Sequence, residues 1–206
     1  MLKNKLLTDF CSYLIFLVPL ALLTGPALPD ILISLTSIVF IYISIKQRKY
    51  HYYNNFIFKF LIFFYLYLVI SSLFSNDIFF SLKSSLFYFR FIFFSLAIWY
   101  LIENKKYFIK YFTYFLAFSF VLALFAGTYE YIFSETIFGK ESTSNRLLLL
   151  TSDNHILGQY LARMFPLVVA FCVYKSSFNY KSYLFLFFIF IYTDVLTFLS
   201  GERTAL

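Results

Sequence analysis

About seven stretches of the chain carry little or no charge: Phe10 to Leu28, Ile31 to Ile45, Phe56 to Ser75, Phe79 to Ile102, Tyr111 to Ala126, Ile156 to Val173 and Tyr183 to Leu199. Most approach the roughly 20 residues that an α-helix needs to cross the hydrocarbon of a bilayer. In that solvent every backbone polar group must be satisfied within the segment, so the pattern predicts an all-α, polytopic membrane helix bundle with about seven transmembrane helices. Composition removes the soluble alternative. Hydrophobic residues make up 62% of the chain and charged residues 13%, and the core of a soluble globule this size would have no room for 32 Phe and 19 Tyr beside the aliphatic residues. The first apolar run follows Lys3 and Lys5, as a signal peptide would. It is too long for one and lacks a small-residue cleavage site, so it reads as an uncleaved first span. The second run is short, and Lys46 and Arg48 would have to snorkel to complete it.

The net charge of +7 is gathered in short clusters between apolar runs, which points to a membrane face rather than to nucleic acid. Lys3 and Lys5, then Lys46, Arg48, Lys49 and Lys59, then Lys105, Lys106 and Lys110, then Lys175 and Lys181 fall at the N-terminus and at every second loop. The alternate loops hold Gly25 to Asp30, Asn76 with Asp77, and a long polar segment, 130–155, whose only bases are Lys140 and Arg146. The positive-inside rule then places the N-terminus in the cytoplasm and 130–155 outside. Cys11 and Cys172 fall on the reducing side, where no disulfide is expected. The spacing of His, Cys, Asp and Glu suggests no metal set, and no glycine-rich phosphate loop is present. Residues 1–206 read as a single transmembrane domain, and the apolar run that restarts after Arg203 reads as the beginning of a longer protein.

Ionisable groups inside spans are costly and therefore functional candidates. Lys83, Arg90, Arg163 and Asp194 qualify, with Arg203 at an outer edge. Lys83 and Arg90 lie seven residues apart, two helical turns, so one continuous helix would carry both on one face. The plain structural alternative is that Lys83 snorkels and Arg90 pairs with Asp194. In the segment Thr151 to Pro166, Ser152 or Asp153 can cap a helix, and His155, Gln159 and Arg163 follow at four-residue spacing. That spacing makes a polar stripe that descends roughly 12 Å from the outer surface. Pro166 removes a backbone bond to Ala162 and should kink the helix below the stripe, leaving a polar notch open to the outside. His155 by itself reads as a surface residue, and Asn145-Arg146 as a solvated pair. Near the end, Ser200-Gly201 interrupts the apolar pattern; helix N-terminal amides and the planar fork of Arg203 there suit phosphate oxygens.

Two of these stretches, Asn154-His-Ile-Leu-Gly158-Gln-Tyr160-Leu-Ala-Arg-Met-Phe-Pro166 and Ser200-Gly-Glu-Arg203-Thr-Ala205, resemble the N-terminal part of the O-antigen ligase and O-antigen polymerase superfamily of bacterial inner-membrane proteins. The family shows similar Asn-x-x-x-Gly-x-Tyr-Leu and Ser-Gly-x-Arg-[Ser/Thr]-Ala patterns in the same order. The resemblance implies a glycan ligase or polymerase of the inner membrane. Such an enzyme moves a glycan from undecaprenyl diphosphate to a sugar hydroxyl, on lipid A core or on a growing polymer, without metal or other cofactor. It implies diphosphate contacts for Arg203, with Arg163, Arg146 and Arg90 as helpers, and places the catalytic His in a large periplasmic loop after Leu206. Residues 1–206 alone are then expected to be inactive. Membrane lipids are the other expected partners; nucleic acid is not one.

Two readings from other classes stand beside it. A secondary transporter would also hold Arg and Asp within the membrane, and would show half-chain symmetry with broken helices. A non-catalytic membrane subunit would need no outward anion notch. A peptidoglycan-type polymerase is a nearer alternative that shares the lipid-diphosphate donor.

Overall fold

The structure is a computed structural model that describes residues 2–137, 147, 157–175 and 180–201. All regular elements among them are helical: α1 (Leu2–Ala21), α2 (Ala27–Lys46), a short 3₁₀ helix (Tyr50–Asn54), α3 (Phe56–Leu73), α4 (Ile78–Leu86), α5 (Phe89–Asn104), α6 (Phe108–Phe133), α7 (Leu157–Lys175) and α8 (Tyr180–Leu199). Among the described residues four segments are long and apolar enough to cross a membrane: α2, α3, α4 with α5, and α6. Shorter apolar stretches occupy Leu157–Val173 of α7 and Leu184–Leu199 of α8. Only 6% of α3 is buried, and its exposed side chains include Phe60, Phe63, Leu66, Tyr67 and Ile70. A helix that is apolar on every side belongs in lipid or against other apolar helices. These segments mark the chain as a membrane protein.

Several helix ends differ from the expectation. The second run is not short: α2 takes in Ala27 to Asp30, because Pro29 is tolerated in a first helical turn and Asp30 favours the positive end of the helix dipole. Lys46 then needs no snorkelling to complete the helix and lies over the Tyr42 ring at 5.4 Å. The run from Phe79 to Ile102 is two helices, separated at Phe87 and Tyr88, where Tyr88 N–H bonds the Ser85 carbonyl at 3.1 Å and Phe91 N–H the Tyr88 carbonyl at 3.1 Å. Helix α6 continues to Phe133, so Glu130 is a buried residue of its last turns rather than the start of a loop. Ser134, at φ 58°, ends it. As expected, Ser200-Gly201 ends an apolar helix: α8 stops at Leu199, and Gly201 takes a positive φ of 67°.

The chain packs as two compact units, Met1–Ile15 with Asp30–Ile109, and Phe16–Pro29 with Lys110–Leu206. In the first, Tyr52 of the 3₁₀ helix is almost wholly enclosed, with its ring 6.3 Å from Phe40, 5.3 Å from Trp99 and 5.8 Å from Tyr100. Its hydroxyl donates to Glu103 Oε2 at 2.5 Å, and Trp99 Nε1 donates to Glu103 Oε1 at 2.6 Å. Burial, and then the Glu103 contact, push the Tyr52 phenol from 10.0 up to about 12.

In the second unit Leu23, Phe120, Ala123, Leu157, Tyr160, Leu161 and Leu196 form the core. Gly127 of α6 lets the start of α7 come close: a Cβ there would lie 2.7 Å from Leu157 Cδ2. Leu157 is 0% exposed and has little room to move aside.

Gly127→Ala should therefore cost about 1–3 kcal/mol by overpacking, and Leu157→Ala, itself a cavity mutation, should offset part of that cost when the two are combined. Thermal unfolding of the four proteins in detergent tests this; additive losses would mean that the two positions do not compete for space. A second expectation concerns pH. Because the folded-state phenol of Tyr52 titrates above the unfolded one, its contribution to stability is intact below pH 10 and is lost as pH rises toward 12. Quenching of the single Trp by phenolate should show a step near pH 12 that Tyr52→Phe removes. If the step that Tyr52→Phe removes lies near pH 10 instead, burial does not act on this phenol.

Candidate functional site

Of the four arginines singled out by sequence, Arg146 and Arg203 lie outside the described residues, as do His155, Ser152, Asp153 and Asn154 of the predicted capping segment. The other two, Arg163 and Arg90, belong to different units and line separate cavities.

Arg163 is built into its cavity by its neighbour Tyr160. Helix α1 ends in a tightened turn, in which Leu23 N–H bonds the Leu20 carbonyl at 3.0 Å. The Pro19 carbonyl therefore loses its usual helical donor. The buried Tyr160 hydroxyl takes that place, sharing its proton between the Pro19 carbonyl at 3.2 Å and Ser119 Oγ at 2.9 Å. Ser119 gives its own proton to the Leu116 carbonyl at 2.8 Å. With Tyr160 fixed between α1 and α6, Gln159 and Arg163 are turned together into a cavity of about 270 Å³, whose other walls include Leu22, Gly25, Pro26 and Met164. Gly25, at φ 118°, makes the turn that forms one wall. Gln159 and Arg163, four residues apart, thus line one cavity. Among the described residues Arg163 forms no ion pair.

Arg90 departs from the expectation. Its partner is Asp30, not Asp194: Arg90 Nη2 lies 2.8 Å from Asp30 Oδ2, the two side chains being 21% and 49% exposed. The physical reason is the lengthening of α2, which puts Asp30 in an ordered first turn that hydropathy alone assigns to a loop. Ser37 Oγ reaches the Arg90 carbonyl at 2.7 Å, and the guanidinium lies over the Phe91 ring at 5.0 Å. Arg90 Nε is buried without a hydrogen-bond partner. Lys83 and Arg90 do share one cavity, of about 510 Å³, but not as neighbours on one straight helix, because the break at Phe87 and Tyr88 intervenes. Ser84, Phe80, Phe87 and Asp30 complete most of its wall.

Asp194 instead faces a groove of about 240 Å³ between α7 and α8, with Thr193, Thr197, Ala162 and Pro166. Helix α7 runs on through Pro166 to Lys175. Thr193 and Thr197 both donate to carbonyls of their own helix, at Ile189 and Thr193. Sequence patterns gave no sign of the Tyr52–Glu103–Trp99 cluster, since it is assembled from residues about 50 positions apart. The aromatic density of the chain was the only available hint. Among the described residues no group of His, Cys, Asp and Glu has metal-ligand geometry. The chain matches no protein-family model, and no characterised protein or solved structure is similar to it.

Asp30 and Arg90 are partly exposed, so their coupling should be modest. A double-mutant cycle of Asp30→Asn and Arg90→Gln should give about 0.5–1 kcal/mol. A coupling indistinguishable from zero would show that the pair contributes no stability and that Arg90 is held by Ser37 and Phe91.

Proposed function

We propose that this protein is a bacterial inner-membrane glycan ligase or polymerase that transfers a glycan from undecaprenyl diphosphate to a sugar hydroxyl at the outer face, on lipid A core or on a growing polymer. About seven spans with a cytoplasmic N-terminus make up the proposed topology. The observation that carries the reading is the Arg163 cavity, in which a guanidinium with no ion pair among the described residues stands beside Gln159 among walls that are otherwise largely apolar. Such a site suits an anion attached to a hydrocarbon chain, and a polyprenyl diphosphate is one. In the reaction the acceptor hydroxyl attacks the anomeric carbon, the bond from that carbon to the diphosphate breaks, and the negative charge grows on the leaving diphosphate. A fixed guanidinium stabilises that charge where it develops. The order of the Gly158-x-Tyr160 and Ser200-Gly-x-Arg203 motifs supports the same reading, with Arg203 at the diphosphate and Arg146 and Arg90 in assisting roles.

One observation favours a secondary transporter instead: the helix break at Phe87 and Tyr88 lies beside two cations, and discontinuous helices often carry ion sites in such proteins. The two readings separate on the surface polysaccharide of the producing cell. Arg163→Ala and Arg203→Ala at the native locus should each lower glycan transfer roughly tenfold to a hundredfold, the worth of a charge-assisted contact of about 1.5–3 kcal/mol. Lysine at either position should restore only part, because it lacks the bidentate fork. Unchanged transfer with normal amounts of both alanine variants in the membrane would sink the proposal. Topology is tested by cysteines placed singly at Asn76 and Lys106 in a background lacking Cys11 and Cys172. An impermeant thiol reagent should label position 76 and spare position 106 in intact cells; the reverse pattern would invert the protein.

A further inference from the structure

At the basic end of the first unit, Lys5, Asp9, Gln47, Tyr100, Asn104 and Lys105 surround a cavity of about 340 Å³ that has no part in the reading above. Its hydrogen bonds leave a surplus of donors. Lys105 Nζ is paired with Asp9 Oδ1, and Tyr100 gives its proton to Gln47 Oε1 at 3.2 Å. Asn104 Nδ2 donates to the Tyr100 carbonyl at 2.8 Å and to the Tyr52 hydroxyl at 3.3 Å. The Gln47 amide is thus held by its oxygen, with its N–H₂ free to donate. Lys5 forms no ion pair among the described residues, and an ammonium paired with one oxygen keeps further protons to give. Two ammonium groups against one carboxylate leave the lining with a surplus positive charge. Lys46, Arg48 and Lys49 follow one another at the end of α2, next to Gln47. Apolar side chains such as Leu6, Tyr13 and Ile45 stand exposed on the helices that bring these groups together.

We infer that this cavity binds the phosphate of an anionic phospholipid headgroup, with Gln47 Nε2, Lys5 and Lys105 as donors and the acyl chains lying along the exposed apolar faces. The donors satisfy phosphate oxygens, and the charge surplus selects an anionic over a zwitterionic lipid. The inference requires a membrane protein but not a glycan transferase, so loss of one reading leaves the other standing.

The chain contains one Trp, and Trp99 is linked to the cavity lining by a relay of hydrogen bonds: it bonds Glu103, which also holds Tyr52, the acceptor of a proton from Asn104. Its emission therefore serves as the reporter when the purified protein in detergent is titrated with phosphatidylglycerol, phosphatidylcholine or inorganic phosphate. Phosphatidylglycerol should give a saturable change at about tenfold lower concentration than phosphatidylcholine, and inorganic phosphate should neither reproduce nor reverse it. Gln47→Glu keeps the acceptor for Tyr100 while replacing the free donors by negative charge, and should abolish the preference. Lys5→Gln, at an exposed position, should weaken it markedly without threatening the fold, and decides the matter if Gln47→Glu does not fold. Lys59→Gln removes one positive charge elsewhere on the same unit and should leave the preference intact. Equal responses to the two lipids, or equal losses in the Lys5 and Lys59 variants, would reduce the effect to diffuse surface charge and overturn the proposal. Saturation by inorganic phosphate would overturn the assignment to lipid.

Discussion

Polar groups on helices whose outer faces are Phe, Leu and Ile have few partners besides one another, and this scarcity shapes the protein. Hydroxyls within helices turn back on their own backbone: Ser12 bonds the Thr8 carbonyl, Thr36 that of Leu32, Ser95 that of Phe91 and Thr128 that of Leu124. Such bonds satisfy the hydroxyl without a neighbouring helix and leave side-chain links between helices to a few residues. Several of those few sit where a helix ends or breaks. Tyr160 reaches the end of α1, Tyr65 the Leu86 carbonyl before the α4–α5 break at 3.4 Å, and Ser37 the carbonyl of Arg90 just after it. Helix ends are thus where this protein can be held together by polar contacts. Two of its cavities, that of Arg163 and that of Lys83 with Arg90, lie there as well.

The same logic separates what hydropathy makes legible from what it does not. Apolar runs report how long the chain remains compatible with lipid, so all the runs do contain helices. Their boundaries depend on local exceptions that a hydropathy count treats as loop. Pro29 and Asp30 look like a turn, yet a first helical turn accepts both. No Gly or Pro marks Phe87 and Tyr88, and the break there is accompanied by contacts from α2 and α3 that sequence does not display. For the candidate site, spacing within one helix was readable: Gln159 and Arg163 follow from the period of the helix. Pairing between helices was not. Asp194 was the obvious acid for Arg90 only while Asp30 was taken to lie in a loop.

The two candidate arginines that the structure describes consequently have different standing. Arg90 has an acid, an aromatic ring and a seryl contact to its backbone; an incoming anion there would compete with an existing partner. Arg163 has no ion pair among the described residues, and stands one helical turn after Tyr160, whose own hydroxyl is fully engaged. A cation held ready in this way loses little on receiving an anion, because no prior salt bridge has to break and the backbone beneath it is already fixed. That difference, more than depth in the membrane or resemblance in sequence, ranks Arg163 ahead of Arg90 as a diphosphate contact in the proposed reaction. Arg90 meanwhile links α2 to the start of α5 through Asp30 and Ser37.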